Sequence, residues 1–166
     1  MKKIKLLLCL FMLTTLCGCS NSNKNASSKT LNAAMFWIST SLDPTNNYDG
    51  WVLSRIGVGE TLLKLNEKYE VEPYLAKSYE QIDDTTWKLT LKDHITFSNG
   101  KKVTGENVKS CLERAFEKNT RAIDYFDLNH VEAKGQDIYL YLNKSSGAIL
   151  NNLCEPLFTI YDASQS

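Results

Sequence analysis

The sequence predicts an α+β architecture, in which several antiparallel hairpins are backed by two or three helices. Three stretches carry that expectation. Trp87, Leu89 and Leu91 alternate with Thr86, Lys88, Thr90 and Lys92, the period-two pattern of a strand with one buried and one wet face. Val108, Cys111, Leu112, Ala115 and Phe116 recur at spacings of three and four behind Thr104, as on one stripe of a capped amphipathic helix. Residues 129–133 and 138–142 read as two strands around Lys134-Gly135-Gln136-Asp137, a hairpin.

Taken in order, residues 31–37 (LNAAMFW) read as a buried strand and residues 39–49 as a loop rich in Asp, Asn and Pro. Residues 50–57 form a short helix with Asp49 as its N-cap, broken by Gly59. Residues 61–65 and 69–72 pair around Asn66-Glu67-Lys68, and residues 73–76 make a turn or one helical turn. Residues 78–82 form a strand, Asp83-Asp84 the reversal, and residues 87–92 its antiparallel partner. A short strand over 94–97 runs into Ser98-Asn99-Gly100-Lys101, where Asn-Gly supplies the left-handed backbone of a tight turn. Glu106 lies in the first turn of the following helix, where the helix dipole favours an anion. Residues 120–128 are irregular or weakly helical. Ser145-Ser146 cap a helix over 147–153 that Pro156 stops, and residues 157–161 (LFTIY) form an apolar strand. The two terminal apolar strands have no helices in sequence to cover them, as in the front part of something longer.

The first 18 of the 166 residues stand apart. A basic start (Lys2, Lys3, Lys5) and an apolar run over 6–16, too short to span a membrane, have the proportions of a secretory signal. The run ends in Leu16-Cys17-Gly18-Cys19, which resembles a bacterial lipobox with Cys19 as the acylated residue. The expected organisation is a lipoprotein signal peptide over 1–18, a flexible tether over 19–30 and a folded part over 31–166. The mature chain is then extracytoplasmic and held on the membrane by acyl chains. Without the three signal lysines, the 19 basic residues fall to 16 against 19 acidic ones. No basic run remains, which argues against nucleic acid as a partner. Cys111 falls on the apolar stripe, where cysteine acts as a small core residue, and a disulfide to Cys154 is the alternative.

No catalytic or metal motif appears. His94 and His130 lie in hairpins without a nucleophile pattern, and no His-x-x-x-His, Cys-x-x-Cys or EF-hand loop is present. Gly57-Val58-Gly59-Glu60 lacks the third glycine and the lysine of a phosphate loop. The chain reads as a binder rather than an enzyme, with no cofactor. Trp51 and Arg55, at i and i+4, share a helical face close to Glu60, and Arg121 lies in the irregular loop. Arginine offers a planar fork of donors to carboxylates, and tryptophan an apolar wall.

Leu75-Ala76-Lys77-Ser78-Tyr79, Thr86-Trp87-Lys88-Leu89-Thr90-Leu91, Ile95-Thr96-Phe97-Ser98-Asn99-Gly100 and Val103-Thr104-Gly105-Glu106-Asn107-Val108 together resemble a signature of family 5 extracytoplasmic solute-binding proteins. Leu42-Asp43-Pro44 and Gly59-Glu60-Thr61-Leu62 resemble further family segments, and Gly105 stands where alanine is usual. The resemblance covers the chain from about Leu31 onward. It implies the N-terminal part of a two-lobed α/β fold, comprising the opening lobe I strands and a peripheral subdomain. It further implies a receptor of an ABC importer, with permease subunits as partners. Asp49-Gly50-Trp51, Ser54-Arg55 and Asn119-Thr120-Arg121-Ala122 look most like the branch that takes nickel or cobalt chelates. On that likeness Trp51, Arg55 and Arg121 become ligand-binding candidates, with the neighbouring Glu60 beside them, and the metal stays on its chelator. Short peptides are the alternative ligand, and a structural lipoprotein reusing the subdomain is the alternative role.

Overall fold

The computed structural model describes residues 32–163 apart from Ile38; the expected signal peptide, tether and lipidation site lie outside them. The helices are α1 (Asp49–Arg55), α2 (Gly105–Lys118), α3 (Ala122–Tyr125) and α4 (Ile149–Asn152). The strands are β1 (Leu63–Leu65), β2 (Val71–Pro73), β3 (Ala76–Asp83), β4 (Thr86–Leu91), β5 (Leu128–Lys134) and β6 (Asp137–Leu142). β1 and β2 form a hairpin, and the other four make an antiparallel sheet in the order β3-β4-β6-β5.

Alternation decides which side of this sheet is dry. Leu89 and Leu91 of β4, Ile138 and Leu140 of β6 and Val131 of β5 point inward and are buried. Val108, Cys111, Leu112 and Ala115 of α2 are buried in the same cluster, so the expected stripe and the expected alternation make one core. On the wet face Lys88 pairs with Glu80 at 3.4 Å and Asp137 at 3.4 Å, and His130 stacks on Tyr141 at 4.2 Å.

Thr104 caps α2 as expected and makes a full capping box with Asn107. Thr104 N–H donates to Asn107 Oδ1 at 3.0 Å, and Asn107 N–H donates back to Thr104 Oγ1 at 3.4 Å. Gly105 has a packing reason. A Cβ there would stand 2.7 Å from the Gly135 carbonyl oxygen and 3.1 Å from Ala133 Cβ, so glycine lets the helix start press on the β5–β6 turn.

Several expected elements take another form. Residues 33–37 form no strand; Phe36 is 93% exposed and Trp37 64%, because no described strand lies beside them. Residues 94–97 contribute one bridge, Thr96 to Lys102, because the tight turn at Gly100 reverses the chain at once. Residues 157–161 become a 3-10 turn at Pro156–Phe158 and a single bridge from Ile160 to Glu60. Proline at the start of that turn has its φ preset and no N–H to leave unsatisfied. Leu157, Phe158 and Ile160 are nonetheless buried. Residues 73–76 bend straight into β3, with Tyr74 N–H and Ala76 N–H both donating to the Leu62 carbonyl. α4 is shorter than expected, and its N-cap is Ala148, with no side-chain cap from Ser145 or Ser146. Cys111 and Cys154 are free thiols, each pushed up to about 11 by burial.

Candidate functional site

The loop before α1 is built around Asp49. Tyr48, not Asp49, is the N-cap of α1, and the Asp49 side chain reaches back into the loop. It accepts from Thr40 N–H (3.0 Å) and hydroxyl (2.9 Å), Ser41 N–H (3.0 Å) and hydroxyl (2.9 Å), and Asn46 Nδ2 (2.9 Å). Burial pushes this carboxyl up, but the donors outweigh it and hold the pKa at about 2.

Two side chains from distant sequence pin the loop onto the end of α2. Arg114 Nη2 meets Asp43 Oδ2 at 2.6 Å, and Asn119 Nδ2 donates to the Thr45 (3.0 Å) and Asn47 (3.1 Å) carbonyls. This brings Tyr48 to the segment just beyond α2, where the Arg121 guanidinium lies over the Tyr48 ring at 4.3 Å. Arg121 Nη2 also donates to the Tyr125 hydroxyl at 3.0 Å.

At the next position Gly50 permits a close backbone crossing. A Cβ there would stand 2.6 Å from the Pro156 carbonyl oxygen and 2.9 Å from that of Pro44. The crossing puts Trp51 beside Glu155, and its indole N–H donates to Glu155 Oε2 at 3.1 Å. Arg55, one turn on, places its guanidinium 5.4 Å from the Trp51 ring centroid. Burial first, and then the neighbouring Glu155 carboxylate, push the Tyr125 hydroxyl pKa up.

Three of the four candidates therefore share one run of contacts, from Arg55 through Trp51, Glu155 and Tyr125 to Arg121. Glu60 lies elsewhere. Its carboxylate accepts from the Tyr74 hydroxyl at 3.1 Å, on the wall of a recess of about 190 Å³ also lined by Ser54, Gly57, Cys154 and Thr159. Sequence reasoning passed over Tyr48, Tyr125 and Glu155. Tyr48 and Tyr125 carried a weak signal as aromatics three or four residues from a candidate, whereas Glu155 is 104 residues from Trp51 and carried none.

The three arginines of the chain differ in their partners. Arg114 is committed to Asp43, whereas Arg55 and Arg121 have no carboxylate partner among the described residues. Each of these two lays its guanidinium over an aromatic ring, which leaves N–H donors of the fork, apart from the Arg121 Nη2 donation to Tyr125, for an incoming acceptor. No group of three or more His, Cys, Asp or Glu among the described residues has the arrangement to hold a metal ion. None of the described helices is long and apolar enough to cross a membrane.

The chain is 35% identical over 147 residues to the nickel-binding protein NikA of Staphylococcus aureus (strain NCTC 8325 / PS 47), a match covering 89% of this chain and 29% of that protein. The crystal structure of Staphylococcus aureus NikA in complex with Ni(L-His)2 matches with a TM-score of 0.61 at 37% identity, over 63% of this chain and 23% of that one. A nickel ABC transporter structure from Bacillus halodurans matches with a TM-score of 0.71 at 28% identity, over 76% of this chain and 26% of that one. The chain thus spans less than a third of the length of these relatives. Residues 70–164 match the model described as bacterial extracellular solute-binding proteins, family 5 middle. With more than half of its residues inside that match, the chain belongs to the family 5 bacterial extracellular solute-binding proteins.

Proposed function

We propose that this chain forms ligand-receiving surface of an ABC-importer receptor that captures nickel or cobalt held in a small organic chelator. The observation that carries the reading is the pair of arginines without carboxylate partners, each laid over an aromatic ring. Carboxylates of a chelate accept from the remaining N–H donors of Arg55 and Arg121, and the rings of Tyr48 and Trp51 offer apolar walls to its body. The metal keeps the ligands of its chelator, so a protein cage of His and Cys is not needed. The nickel-binding relative supports this choice of cargo. Glu60 is assigned a lesser part, facing a separate part of the ligand from its own recess. Cys19 carries the acyl anchor, the bound complex passes to the permease, and the chain does no catalysis.

Isothermal titration calorimetry of the protein with nickel plus L-histidine, nickel alone, and di- and tripeptides tests the reading. Heat is expected with the nickel–histidine mixture and not with the peptides. Binding of peptides alone assigns the chain to the peptide receptors instead.

A further inference from the structure

We propose that Glu155 is the positioning residue of the arginine–aromatic surface, and that its charge sets which anions the surface accepts. The second half rests on the ligand reading above. Glu155 is half-buried and precedes Pro156, where Phe158 N–H donates to its carbonyl and the 3-10 turn fixes its backbone. Its Oε2 holds the Trp51 indole, the ring beneath Arg55. It also neighbours the Tyr125 hydroxyl, which accepts from Arg121. One carboxylate therefore orients one side chain beside each arginine. The contrast with Trp87 is direct, since that indole nitrogen is buried without a partner. Trp51 is 42% exposed, so its N–H would have water available, and Glu155 fixes the ring where solvent would leave it free to turn.

The same carboxylate adds one negative charge beside two positive ones. The surface then favours a ligand of low net charge, such as an amino-acid complex of a divalent metal, over a multiply charged anion that must approach Glu155. Removing the charge but not the acceptor relaxes that preference.

The test reads the three indole N–H signals in proton–nitrogen NMR spectra of the whole chain. The Trp51 signal is assigned by its loss in Trp51→Phe. In Glu155→Ala the Trp51 indole should exchange with solvent at least several-fold faster, with the Trp87 signal unmoved as the control for folding. In Glu155→Gln, whose amide oxygen still accepts, exchange should return to the wild-type rate. Titrations with citrate and with nickel plus L-histidine complete the test. Glu155→Gln should bind citrate at least threefold tighter than wild type, and Glu155→Ala should bind the nickel–histidine complex more weakly. Unchanged Trp51 exchange in Glu155→Ala overturns the positioning role, and unchanged citrate affinity in Glu155→Gln overturns the charge role. If wild type binds neither probe, the receptor reading fails and the charge role with it, while indole exchange alone still decides positioning.

Discussion

In the sheet and α2, Leu89, Leu91, Leu112, Ile138 and Leu140 are fully buried, in a sheet of two hairpins, β3–β4 and β5–β6, joined through the β4–β6 pairing. On the arginine–aromatic surface, Tyr48 and Trp51 are exposed, and the contacts that assemble it from separate segments join residues 71 to 104 positions apart. The first region is held by area removed from water, which is non-directional and tolerant of detail. The second is held by a few directed contacts, each worth about 0.5–3 kcal/mol. The scaffold and the proposed binding surface thus follow different rules within one short chain. Changes in the first region should act on stability and changes in the second on affinity, which makes the division breakable by experiment.

The largest effect belongs to the scaffold. Leu112→Ala removes a side chain with no exposed surface and should lower unfolding free energy by about 2–5 kcal/mol in a urea titration, without changing the affinity of the molecules that remain folded. On the proposed binding surface, Arg121→Ala removes charge-assisted hydrogen bonds to the chelate worth roughly 1.5–3 kcal/mol, so affinity for a carboxylate chelate should fall about 10–100-fold by calorimetry. Its melting temperature should move only slightly, since the side chain sits over an exposed ring.

Asp49 supports the second region from beneath, because it organises the loop that carries Tyr48. Its pKa is lowered from 3.8 to about 2, so its stabilisation is complete above about pH 4 and is lost as pH falls toward 2. Asp49→Asn should therefore cost on the order of 2 kcal/mol at pH 7 and much less near pH 2, read by urea unfolding at both. The smallest expected effect is Thr104→Ala, which breaks the capping box of α2 for about 1 kcal/mol and should leave affinity unchanged.

The scaffold was largely legible because its signals are local. The alternation over residues 86–92, the stripe from Val108 to Phe116 and the cap at Thr104 each lie within one element, and each appears where its spacing puts it. Residues 157–161 were not legible as a turn plus one bridge. An apolar run of five is equally compatible with any buried backbone, and here the run serves the core without sheet partners on both sides. For the candidate site, the i, i+4 pair Trp51–Arg55 could be read from spacing. Its link to Arg121 could not, since it depends on Gly50 crossing Pro156 and on Asn119 holding the loop carbonyls, both long-range packing events. Glu155 was hidden for the same reason.

The most direct measurement is a calorimetric titration of wild type and the Arg55→Ala/Arg121→Ala double variant with nickel plus L-histidine, with the melting temperature of each recorded. The expected result is binding by wild type and a loss of 100-fold or more in the double variant, with little change in melting temperature. Equal affinity in the two proteins would contradict the assignment of these arginines to the ligand.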